Sequence, residues 1–192
     1  AHPQTTTKAA DYDLLFKELE KLAAKEQQLK DEKLEADAQI DALDMMLDPQ
    51  VDRLSNALLD RTGQQRDSEL YQRYFGVKRP HEVKKPVLGE EVQIVKDFVP
   101  SLLASSDPGL LAIGQELDKL VKAAQKAETA YSEAASKLRD FRKVGERKAF
   151  IDKVNQKRKL THGELAQMPH TPGSTLPRDF ASGFFGHSKQ RV

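Results

Sequence analysis

The sequence predicts an all-α protein: a long antiparallel coiled-coil helical hairpin with a short helical insertion and extended N- and C-terminal tails. Three observations predict it. Leu110, Ile113, Leu117, Leu120, Ala124, Ala127, Tyr131, Ala134, Leu138 and Phe141 follow one another at steps of three and four, the stripe of a helix that lays one narrow face on another. Leu15, Leu19, Leu22, Leu29, Ala36, Ile40, Leu43 and Leu47 recur at heptad positions near the other end, interrupted by polar Glu26 and Lys33. Composition agrees, with 32% of the 192 residues charged, 6% aromatic and none Trp, the balance of a coiled coil rather than a compact globule.

Taken in order, residues 1–7 lack periodicity and read as an N-terminal tail, and the helical hairpin domain covers 8–160. Its first long helix runs over about 8–47, roughly 60 Å at 1.5 Å per residue. Asp48-Pro49, a capping carboxylate before a proline, is expected to break it. A helical insertion over 49–104 follows, with apolar spacing resuming at Val51, Leu54 and Leu58 and fading at Thr62-Gly63. A polar helical piece then ends in Tyr71, Tyr74 and Phe75, with Gly76 placed as its C-terminal cap. Residues 76–89 read as a loop, and 90–104 as a helix with Val92, Val95, Val99 and Leu102 on one face and a bend at Pro100.

Asp107-Pro108 is a second cap-then-proline start. It opens the other long helix, expected over about 108–159, with Gly145 as a weak point costing about 1 kcal/mol against Ala. Thr161 and Glu164 have capping-box spacing, which predicts a short new helix through Met168. Residues 161–192 form a C-terminal arm, rich in Pro, Gly, Ser and Thr after Pro169, and its apolar group Leu176, Phe180, Phe184 and Phe185 suits a short helix from Pro177.

The totals exclude some chemistry. A net charge of +1 provides no global field for nucleic acid or membrane. Zero cysteines rule out disulfides and thiolate metal sites. Their absence fits an intracellular or organellar chain, a mitochondrial one for example, better than a secreted one, without fixing the compartment. No apolar run approaches the roughly 18 residues that span a bilayer. The chain opens on Ala1, which loss of an initiator Met or of a presequence would equally leave.

Catalytic signatures were sought in the motifs that carry them. No GxGxxG, Walker A, HExxH or Glu-x-x-His spacing occurs, and the five histidines fall in tails and loops. No catalytic residue, cofactor or metal is therefore implied. Three features remain. Asp37, Asp41, Asp44 and Asp48 form an acidic ridge, either a solvated face or a dock for basic side chains. From Lys137 to Lys159, ten Lys and Arg, among them Lys143, Arg147, Lys148, Lys157, Arg158 and Lys159, stand against three carboxylates. Against a nearly neutral opposing segment, this basic stretch is expected to stay largely unneutralised, giving a rod with one acidic and one basic end. Helix-dipole compensation explains part of it, and a phosphate contact is the alternative. The phenylalanine arm either folds back on its own bundle or inserts in a partner's groove.

These features point to a non-enzymatic structural or adaptor subunit of a larger assembly of proteins, a helical strut or stalk docking through charged ends and the phenylalanine arm. The runner-up is binding of RNA or an anionic membrane surface through the basic end.

Overall fold

The computed structural model describes residues 3–85 and 90–185; the side chains of residues 3–5, 7 and 184 lie outside the description. The fold is all-α. Its helices are α1 (Pro3–Arg61), α2 (Glu69–Phe75), α3 (Pro80–Val83), α4 (Glu90–Leu103), α5 (Pro108–Lys143), α6 (Glu146–Gln167) and α7 (Phe180–Phe185), with a 3-10 turn at Met168–His170. The chain divides into two compact units: a terminal one of Ala1–Gln28 with Lys137–Val192, and a central one of Leu29–Ser136.

In the central unit, the segment expected as a short insertion supplies much of the core. Leu47, Val51, Leu54 and Leu58 of α1 pack with Tyr71, Tyr74 and Phe75 of α2, Val83 of α3, Val95, Phe98 and Leu102 of α4, and Leu110, Ile113, Leu117 and Val121 of α5. The small α5 seam residues bury little area each, so α2 and α4 bring the bulk that the seam lacks. Tyr71 and Phe75 stack at 5.0 Å, Tyr74 meets Phe98 edge-on at 5.9 Å, and the Tyr71 and Ser55 hydroxyls share a buried hydrogen bond of 3.0 Å. Gly76 caps α2 at φ 55, its N–H donating to the Gln72 carbonyl at 2.9 Å; that backbone region is nearly free for glycine alone.

Several boundaries differ from the sequence reading, each for a physical reason. The tail expected at 1–7 is helical from Pro3. Asp48-Pro49 does not break the first helix, which runs on to Arg61. Pro49 removes the N–H that would bond the Met45 carbonyl, but Met45 and Met46 face solvent, where water can take that carbonyl. Leu47, Val51 and Leu54 are buried on the other side and hold the helix in place.

The second long helix is interrupted at Gly145, where the N–H groups of Val144 and Gly145 both donate to the Asp140 carbonyl. It resumes as α6 and continues to Gln167. Thr161 therefore starts no new helix; it is buried with Leu165 within the terminal unit, while Glu164 pairs with Lys8.

Asp107 starts α5 as expected. Its carboxylate accepts the N–H groups of Gly109 at 2.8 Å and Leu110 at 3.1 Å, and both donors of a bidentate Arg61 guanidinium at 2.6 Å. Arg61 also donates to the Ala57 carbonyl at 2.6 Å, so one residue ties the end of α1 to the start of α5. The Arg61 bonds, then the backbone ones, hold the Asp107 carboxyl well below the ordinary carboxylate range. This contribution is present above that range and is lost as pH falls through the folded pKa.

α4 and α5 cross at Gly114. A Cβ there would lie 2.6 Å from Leu102 Cβ and 3.1 Å from the Leu102 carbonyl carbon, neither of which can swing aside. Gly114→Ala gains about 1 kcal/mol of helix propensity, but overpacking costs about 1–3 kcal/mol. The expected net effect is a lower urea midpoint for the central unit, at unchanged helicity by circular dichroism.

Candidate functional site

In the terminal unit, α1 and α6 run antiparallel. Lys8, Asp11, Glu18 and Lys25 climb α1 while their ion-pair partners Glu164, Lys157, Lys153 and Glu146 descend α6. Glu26, one of the two residues interrupting the first stripe, accepts Arg142 at 2.8 Å and Arg147 at 3.4 Å. In the central unit Lys33, the other, lies with its ammonium 4.5 Å from the Tyr131 ring centroid, a cation–π contact. Both breaks in the apolar stripe are thus answered by complementary groups.

This pairing corrects the expectation of an unneutralised basic segment. Arg139, Arg142, Arg147, Lys148, Lys153 and Lys157 all form ion pairs, Lys148 with Asp152 on its own helix. The charge count was right, but it could not say which cations meet Asp11, Glu18 and Glu26 across more than a hundred residues of sequence. Among the described residues, no ion pair engages Lys143, Arg158 or Lys159.

The described part of the C-terminal arm, to Phe185, folds back rather than standing extended. Leu176 and Phe180 are half-buried, Ala181 is buried, and the Phe185 ring lies 5.9 Å from His162 of α6. The Phe184 side chain lies outside the described residues. Phe185, His162, Asn155, Arg158 and Lys159 line an open groove of about 580 Å³.

A second groove, of about 140 Å³, is apolar and was not legible in the heptad pattern. Tyr12, Leu15, Phe16, Leu19, Phe150 and Val154 line it. Phe16 is 64% exposed and Leu19, a member of the first stripe, 46% exposed. The Tyr12 hydroxyl is buried without a hydrogen-bond partner among the described residues. A helical stripe at Tyr12, Phe16 and Leu19 in the sequence would have pointed to it.

In the central unit the acidic ridge divides. Asp41 is exposed and Asp37 half-buried, whereas Asp44 and Asp48 face Glu91 of α4. Glu91 is completely buried, and neither carboxyl oxygen has a hydrogen-bond partner among the described residues. Burial, then the Asp48 and Asp44 charges, push its pKa up to about 8 against the pull of Lys84. Asp48 is likewise raised, first by burial, with Lys84 opposing and Asp44 and Asp52 adding. Lys84 itself bonds Asp52 at 2.8 Å.

Among the described residues, no group of three or more His, Asp or Glu is placed to hold a metal, and no helix is long and apolar enough to cross a membrane. No family model, curated protein or solved structure matches this chain.

Proposed function

We propose that this chain is a non-enzymatic structural or adaptor subunit of a larger protein assembly, holding a partner against the α1–α6 face of its terminal unit. The apolar groove carries the reading. Contiguous exposed apolar surface of this kind marks protein-binding sites, and Leu14, Ile151 and Leu160 on the same two helices are exposed as well. A cavity of about 150 Å³ with such a lining accepts a benzene ring, so one aromatic or leucine anchor from a partner helix fits. On this reading the two stripes pair as a coiled coil, and Asp37, Asp41 and Lys143 are accessory docking charges at the surface.

Affinity capture from native extract tests this. A protein partner should stay bound at about 0.5 M salt, where exposed charge pairs are screened, and should be lost from Phe16→Asp. Phe180→Ala with Phe184→Ala should weaken capture only if the arm contributes. Equal capture by wild type and Phe16→Asp sinks the proposal.

A second reading is favoured by the unpaired Lys143, Arg158 and Lys159: binding of RNA or an anionic membrane surface. Its signature is affinity that collapses between low and moderate salt. With most neighbouring cations already paired, we rank it below the adaptor role.

A further inference from the structure

We infer that the groove between α6 and α7 binds a phosphate monoester that carries a flat ring, a mononucleotide being the representative ligand. The inference is independent of the adaptor reading, since it uses a different face and different chemistry. Asn155, Arg158, Lys159 and His162 occupy consecutive turns of α6, and the return of α7 sets the Phe185 ring beside His162 at 5.9 Å with a 35° tilt. The groove volume of about 580 Å³ falls in the range of small-molecule sites.

Charge supplies the argument for an anion. The cations that precede the groove on α6 each have a carboxylate: Arg147 has Glu26, Lys148 has Asp152, Lys153 has Glu18 and Lys157 has Asp11. Arg158 and Lys159 have none among the described residues. The nearest acids along the helix, Asp152 and Glu164, are taken by Lys148 and Lys8. Two uncompensated cations side by side suit a dianionic phosphate better than a single carboxylate. The planar guanidinium adds a bidentate match to phosphate oxygens. The His162 and Phe185 rings offer planar apolar faces against which a base can lie, and the Asn155 amide can both donate to and accept from it. Among the described residues, the groove is lined by one cationic pair rather than a track of them, which favours a single nucleotide over a polymer.

Titration of the ¹⁵N-labelled full chain with adenosine 5′-monophosphate at low salt tests this. Saturable amide shifts are expected over 155–162 and in α7. Adenosine and inorganic phosphate should each bind at least about tenfold more weakly. Arg158→Gln with Lys159→Gln should weaken the nucleotide by about tenfold or more, while Lys148→Gln should leave it unchanged. Phe185→Ala should reduce nucleotide affinity to that of inorganic phosphate, with unchanged helicity as the folding control. Absence of saturable shifts up to about 10 mM nucleotide, or equal affinity in the double variant, overturns the inference. Affinity for oligoribonucleotides that rises with length and exceeds that of the mononucleotide also overturns it, and assigns a polymer surface instead.

Discussion

Glu91→Gln is expected to stabilise the central unit at pH 8 by on the order of 3 kcal/mol and to flatten its pH dependence. In the fold the Glu91 carboxyl titrates at about 8 against a usual 4.5. The folded state therefore binds a proton that the unfolded chain has released between those values. Stability is full below about 4.5, declines through the interval, and levels off above about 8. Each unit of difference is about 1.4 kcal/mol, so the interval is worth several.

The groups facing Glu91 from α1 are Asp44 and Asp48, and Lys84 approaches from beyond α3. Glu91 also lies in the first turn of α4, where the helix dipole favours the anion by up to about 1 kcal/mol. That is too little to offset complete burial beside two acids. Glutamine keeps the shape and removes the ionisation. Urea unfolding of both proteins at pH 5, 6.5 and 8 checks the expectation. Parallel pH profiles would show that Glu91 is not the titrating group.

Leu117→Ala is expected to cost about 3–5 kcal/mol, the range for truncating a buried leucine that leaves a cavity. Leu19→Ala should cost under about 1 kcal/mol, because part of its area already faces water. Both leucines hold seam positions and would be equivalent on heptad spacing alone. Leu117 is wholly buried in the core of the central unit, whereas Leu19 lines the open groove. Equal losses in urea would mean that Leu19 is covered in solution, and the groove with it.

Much of the fold could be read from residue order because local chemistry decided it. Asp107-Pro108 starts a helix, α5, since the carboxylate bonds the free N–H groups of Gly109 and Leu110 and proline needs no partner. Gly76 ends one for the converse reason. The α5 stripe is buried as its spacing implied except at Leu120 and Tyr131, which are half-buried, and Val121 is added from outside the pattern. Local chemistry failed where packing outweighed it. Pro49 should stop a helix, yet buried neighbours on its inner side carry α1 through. Thr161 has the spacing of a cap, yet burial of Thr161 and Leu165 commits it to a helix interior.

The candidate sites were legible only as residue types. Arg158 and Lys159 stood out as basic but looked no different from Arg147 and Lys157, whose partners come from the far end of the chain. In the sequence Phe185 reads as an apolar anchor, and its partner His162 as a loop residue. Glu91 looked like an ordinary first-turn acid, since its burial depends on α1 crossing α4.

The two polar residues that break the first apolar stripe each fix an alignment within their own unit. In the terminal unit, a one-heptad slip of α1 would strip the Arg142 and Arg147 guanidiniums of the Glu26 carboxylate. In the central unit, the same slip would lift the Lys33 ammonium from the electron-rich face of Tyr131. Leucine at either place would lose nothing by such a slip, so each interruption keys the register of the helices it joins.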